Sequence, residues 1–242
     1  MRATGLMTHC ARPFRLQRYQ SIRMQFLDGP GHELHQEGWN IRFRKVQGED
    51  HIELTFKRRY PVDGHLAMAL TKAVQEGFDA AENDYEPELE WGYQKQTLTF
   101  ANEKRARDAA MQNLNLPLAE ETQKLATGEK MPDKLRHWKE KGWVKHVLSS
   151  ARVYGPVEGW RWRGHHAEID DKIAIEVWVL PTGNGARTKP IVEISFKKRE
   201  YGAKAMAKRE KLLRFLKENG WLLEKDVLKT ELILEHGGQS NR

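Results

Sequence analysis

The residues of this 242-residue chain best suited to chemistry are four cations in two neighbouring segments. Arg42 and Arg44 lie in WNIRFRKV, and Lys57 and Arg59 lie in HIELTFKRR. Successive side chains of a β-strand point to opposite faces. Ile41, Phe43 and Lys45 therefore share one face of the first segment, and Arg42 and Arg44 share the other. In the second, Leu54 and Phe56 oppose Glu53, Thr55, Lys57 and Arg59. Gln47-Gly48-Glu49-Asp50 is a hairpin loop of the expected length, so the four cations converge on one surface. Gathered like charges repel unless an anion or solvent lies between them. Guanidinium groups grip phosphate oxygens through paired N–H donors, and lysine adds a point charge. The expected chemistry is the holding of a polyanion, above all a phosphate. Alternation alone also describes an ordinary solvated sheet face.

The second half repeats the pattern. Ser150, Arg152 and Tyr154 share a face of one segment, and Arg161 and Arg163 share a face of another. In KIAIEVWVL, Glu176 lies opposite the apolar Ile175 and Val177. In PIVEISFK, Glu193, Ser195 and Lys197 oppose Val192, Ile194 and Phe196. Carboxylate oxygens among phosphate-binding cations are the donors that Mg²⁺ or Mn²⁺ takes. The simpler reading is that Glu176 and Glu193 neutralise nearby arginines.

Strands must position these residues, and the punctuation supplies them. Residues 19–27 alternate, then Asp28-Gly29-Pro30-Gly31 turns the chain. Further strands are predicted over 39–46, 51–59, 86–100, 147–154, 157–164, 172–180, 190–197 and 227–235. Helices are predicted over 65–80, with Leu66, Leu70, Val74 and Phe78 facing the core, and over 102–113, 132–140 and 201–218. Strands dominate and helices fall between groups of them, which fits an antiparallel α+β domain. The expected layout is an irregular segment 1–18, one domain over 19–236 with a helical insertion around 102–142, and a disordered tail 237–242.

Composition narrows the partners. Lys and Arg exceed Asp and Glu by seven, which favours anionic ligands without choosing among them. No apolar run approaches the roughly 20 residues of a membrane helix. A single cysteine, Cys10, excludes an internal disulfide and a thiolate zinc site. The first 27 residues carry Arg2, Arg12, Arg15, Arg18 and Arg23 and no acid. That composition reads as an irregular lead-in to a strand of a cytoplasmic protein, or as a mitochondrial presequence.

In order, spacing and strand parity, MQFLDGPGHELHQEGWNIRFRKVQGEDHIELTFKRR resembles the first half of a CYTH domain, the triphosphate tunnel metalloenzyme group. The elements that match are Asp28, Leu34, Gly38, Arg42 with Arg44, and Thr55 with Lys57. The second half is similar through Arg152, Glu176, Glu193, a long helix and a closing strand with Lys229. The resemblance implies an eight-stranded antiparallel β-barrel or tunnel with peripheral helices. It also implies phosphate binding by Arg42, Arg44, Lys57 and Arg152, with Arg59, Lys197 and Lys229 beside them. Glu176 and Glu193 would hold Mg²⁺ or Mn²⁺, with Glu88 and Glu90 as further tunnel acids. The group's E-x-E-x-K strand has no counterpart before Asp28. The nearest pattern, Glu193-Ile-Ser195-Phe-Lys197, has serine where the second glutamate belongs. The expectation is a triphosphate-binding tunnel acting as a metal-dependent triphosphatase. If the chain is not truncated, a non-catalytic polyphosphate or organic-phosphate binder is the alternative. A nucleic-acid-binding barrel, suggested by the eight tryptophans, is a more distant one.

Overall fold

The computed structural model describes residues 13–78, 84–107, 113–167, 169, 171–180, 190–197 and 202–236. Readings that fall on other residues, including Cys10, residues 108–112 and the tail 237–242, lie outside the described residues. Eight antiparallel strands form one sheet. They are β1 (Gln20–Asp28), β2 (Trp39–Val46), β3 (His51–Pro61), β4 (Glu86–Trp91), β5 (Gln96–Arg107), β6 (Arg152–His166), β7 (Asp171–Val179) and β8 (Pro190–Phe196). Their spatial order is β4-β5-β3-β2-β1-β6-β7-β8. The helices are α1 (Glu33–Gln36), α2 (Leu66–Gln75), α3 (Ala119–Thr127), α4 (Asp133–Arg136), α5 (Trp143–Ser149), α6 (Ala203–Glu218) and α7 (Lys229–His236). No helix among the described residues is long and apolar enough to cross a membrane.

Alternation sorts the two faces. Ile41, Phe43, Leu54, Phe56 and Phe100 are buried on the outer face beneath Ala69, Ala73, Leu135, Val144, Val147 and Leu148 of α2, α4 and α5. Ile173, Ile175 and Val177 of β7 are covered by Leu212 and Leu216 of α6. The opposite parity, which carries Arg42, Arg44, Lys57 and Arg59, faces inward. The sheet curls around it. Glu176 of β7 acts electrostatically on Arg42 and Arg44 of β2, although two strands lie between them in the sheet.

The edge strands β4 and β8 are joined by side chains. Lys197, just beyond β8, reaches Glu88 Oε1 of β4 at 2.5 Å. Asp226, before α7, accepts the backbone N–H of Gln94 and Lys95 in the β4–β5 turn. Arg209 of α6 donates to Gly92 O at 3.0 Å in the same turn.

The turn after β1 explains the spacing of the Asp28–Gly38 motif. The buried Asp28 carboxylate accepts the N–H of Gly29 at 2.7 Å, of Leu34 at 2.9 Å and of His35 at 2.9 Å. It thereby satisfies donors at the start of α1 that no helical carbonyl can reach. Leu34 is fully buried and anchors that turn. Gly38 then takes φ +72°, and a Cβ there would lie 2.7 Å from the Arg59 carbonyl and against the Arg58 guanidinium. Gly38→Ala is expected to cost on the order of 2 kcal/mol through left-handed strain and this clash. The readout is a lowered urea midpoint at unchanged slope; an unchanged midpoint would refute the account.

Several local expectations need correction. The 86–100 segment is two strands, split at Gly92–Lys95, where the Gly92 N–H donates to the Lys95 carbonyl. Residues 102–107, expected helical, extend β5 because they pair in register with His51–Phe56 of β3. Ladder pairing there overrides the helix preference of Glu, Lys and Arg. Of the expected strand 147–154, residues 147–149 end helix α5, whose Val144, Val147 and Leu148 are buried at helical spacing, and the strand begins only at Arg152. From Lys229 onward the expected closing strand 227–235 is instead helix α7, so Lys229 lies on a helix. Short apolar runs such as LIL do not separate the two by periodicity. On α2 the buried face is Ala69 and Ala73, while Leu70 and Val74 are exposed.

Candidate functional site

The inward face is built strand by strand. In the β2–β3 register, Arg42 stands opposite Thr55 and Arg44 opposite Glu53. β5 adds Glu103 opposite Thr55, and β4 adds Glu88 and Glu90 opposite Thr99 and Thr97. On the far side Arg161 of β6 stands opposite Glu176, which in turn stands opposite Glu193 of β8. All four cations read from the first hairpin line this face.

They are not the uncompensated cluster that alternation implied. Arg44 pairs with Glu53. Lys57 lies 2.7 Å from Glu90 and 3.5 Å from Glu88. Arg59 Nε is 3.7 Å from Glu90. Arg42 donates to Thr55 Oγ1 at 2.9 Å and stands 3.8 Å from Glu103, and its buried Nε, like that of Arg59, has no hydrogen-bond partner. Burial, aided by the Arg44 charge, brings its pKa down to about 10. Burial also disfavours the Glu53 and Glu90 carboxylates, yet their basic neighbours hold both below the usual carboxylate range.

Across the tunnel the hub is Glu176. Its Oε1 accepts Arg161 at 2.6 Å, and its Oε2 accepts Lys229 Nζ at 2.9 Å and Trp178 Nε1 at 2.9 Å. Burial alone would raise its pKa; Lys229 and Arg161 outweigh burial and hold it at about 2. Lys229 Nζ also lies 3.1 Å from Glu193. These two acids thus sit together, as read from the sequence, and share a lysine. Lys197 is exposed and bound to Glu88. Arg152, at the start of β6, is exposed, and no ion pair ties it to the tunnel acids among the described residues.

Arg161, read from the sequence as sharing a basic strand face with Arg163, lies on the inward side together with Arg152 of opposite parity, because β6 changes parity. Its pairing with β1 shifts between Met24 and Phe26. Before the bulge the even residues Arg152 and Tyr154 face inward; after it, the odd residues Val157, Gly159 and Arg161 do. A bulge re-aims every side chain beyond it. The only sequence signal for it was Gly155-Pro156. On β1 the positions Ile22, Met24 and Phe26 of this face are apolar and are buried with Trp178 against Ile233 and Leu234 of α7. Trp39 and Trp178 are buried in the core.

The donor chemistry for a divalent metal is present at two places. Glu88 and Glu90 carry hard oxygens on one strand face, which Lys57, Arg59 and Lys197 must release before a metal can take them. At the mouth of the β2–β3 hairpin, donor atoms of Glu49, His51 and Glu53 all lie within 4.8 Å of one another.

No protein-family model matches the sequence, and comparison with curated proteins finds no significant relative. Solved structures do match. A candidate adenylyl cyclase from Hippeastrum with a dominant triphosphatase activity aligns at a TM-score of 0.54 and 15% identity, over 96% of this chain and 92% of its own. A candidate adenylate cyclase from Bacillus halodurans aligns at 0.48 and 11% identity, over 94% and 88%. With its single curled sheet of eight antiparallel strands and an inward face of paired charges, this chain has a CYTH-like triphosphate-tunnel fold.

Proposed function

We propose that the tunnel binds a small triphosphate-bearing compound, inorganic triphosphate or a nucleoside or thiamine triphosphate, and hydrolyses it with a divalent metal. The observation that carries this reading is Arg42, a buried inward guanidinium with an unpartnered Nε. It stands beside Arg44, Lys57 and Arg59, whose carboxylate partners can be exchanged for phosphate oxygens. Charge-assisted bonds to phosphate are of the strong kind. The mixed charge of the face suits a metal–polyphosphate complex better than a bare polyanion, since acids take the metal and cations take the phosphates. Glu88 and Glu90 are the carboxylates we assign to Mg²⁺ or Mn²⁺, which when bound polarises a phosphoryl group. The dominant triphosphatase activity of the Hippeastrum protein is in keeping with this.

The test is phosphate release from inorganic triphosphate, ATP and thiamine triphosphate with Mg²⁺ or Mn²⁺, alongside calorimetric binding of each. Turnover that Glu88→Gln with Glu90→Gln removes, while binding persists, supports the full reading. Binding without turnover supports a second one, a phosphate-binding tunnel that does not hydrolyse. The apolar inward positions Ile22, Met24 and Phe26 favour that alternative. Absence of binding to all three compounds would overturn both.

A further inference from the structure

The carboxylates of Glu176 and Glu193 form the one pair that stands directly opposite across β7 and β8 on the inward face. Like charges so placed repel, and a cation between them relieves the repulsion. Lys229 provides it. Its ammonium lies 2.9 Å from Glu176 Oε2 and 3.1 Å from Glu193 Oε2, and 4.4 Å from the centre of the Trp178 ring. An ammonium has three protons to give, and these three neighbours surround it.

Two further facts show that this position is specific. Lys229 is the first residue of α7. A cation there opposes the helix dipole, whose N-terminus favours negative charge, so helix stability does not account for it. The helix is also seated from the inside: Ile233 and Leu234 pack on Ile22, Met24, Phe26 and Trp178. Apolar burial therefore delivers the ammonium to the acids. Glu176 has little left to offer a metal, since Arg161 holds one oxygen at 2.6 Å and Lys229 and Trp178 share the other.

We infer that Lys229 is a built-in cation of the Glu176–Glu193 pair, occupying the position of a divalent metal and excluding it while α7 is seated. The inference goes beyond the function proposed above and concerns metal occupancy alone, so it stands or falls whether or not the tunnel takes triphosphate. A metal that assists a bound phosphate would then enter from the β4 side, at Glu88 and Glu90.

Mn²⁺ binding to the full chain, followed by electron paramagnetic resonance without any phosphate compound, tests it. Wild-type Mn²⁺ affinity is expected to be unchanged by Glu193→Gln. Lys229→Met keeps the apolar stem over Trp178 and removes the charge; it is expected to gain a Mn²⁺ site at least about tenfold tighter than any in the wild type. Adding Glu193→Gln should remove that site, and Lys229→Arg should not create one. A folded Lys229→Met or Lys229→Gln protein with no added Mn²⁺ site overturns the inference. So does a wild-type Mn²⁺ site that Glu193→Gln abolishes, a measurement that needs no Lys229 variant to fold.

Discussion

Arg42→Ala combined with Arg44→Ala is expected to lower triphosphate affinity by at least about 100-fold, as two charge-assisted contacts worth roughly 1.5–3 kcal/mol each are lost. Arg42 should account for the larger part. Its carboxylate partner, Glu103, is 3.8 Å away, so it has less to give up than Arg44 when phosphate arrives. Arg44 must first release Glu53. Calorimetric titration of the single and double variants reads the difference. Arg42→Lys should recover only part of the loss, because an ammonium offers charge but not the paired N–H geometry. Equal affinity of wild type and double variant would show that the tunnel is not the phosphate site. The double variant also leaves Glu53 without its partner, so a melting curve belongs beside the titration.

Glu176→Gln is the second large expectation, and its readout is stability. The carboxylate is about nine-tenths buried and bound to Arg161, Lys229 and Trp178. Removing its charge leaves the buried Arg161 without a carboxylate and Lys229 with Glu193 alone, and breaking a buried pair in this way typically costs about 3–5 kcal/mol. The pH dependence has a definite sign. The folded pKa, about 2, lies below the ordinary value of 4.5, so the stabilisation is complete above that ordinary value. It is lost as pH falls from there towards the folded pKa. The full difference corresponds to roughly 3 kcal/mol. Urea unfolding from neutral pH down to about pH 3 should show wild type losing stability with acid more steeply than Glu176→Gln. Glu53 and Glu90 are also held low by basic neighbours and acidify alike in both proteins, so the difference isolates Glu176. Parallel curves would disprove the hub.

The two expectations differ in how much of them the sequence shows. Arg42 and Arg44 could be placed from WNIRFRKV and its hairpin alone, since strand parity and a short loop are local properties. The same holds for Asp28, Leu34 and Gly38, whose spacing encodes a capped turn closed within eleven residues. The Glu176 hub was only half legible. Its parity and its company with Glu193 could be read, and so could the simpler assignment of these acids to salt bridges. Arg161 as the partner could not, because one bulge in β6 reverses every side chain after it. Lys229 was noticed, but on a strand; in a run as short as LIL nothing but tertiary packing separates strand from helix.

By itself the sequence determined the alternation of the strands, the inward direction of Arg42, Arg44, Lys57 and Arg59, and the turn that sets β2 in register. These follow from interactions between residues close in the chain. The tertiary structure alone decided that the cations are nearly all neutralised and that Lys197 and Asp226 help close the edge between β4 and β8. It alone seats α7 inside the sheet with Lys229 between two carboxylates. Each of these joins residues far apart in the chain, and each depends on how tightly an eight-stranded sheet curls, a property of all its strands together.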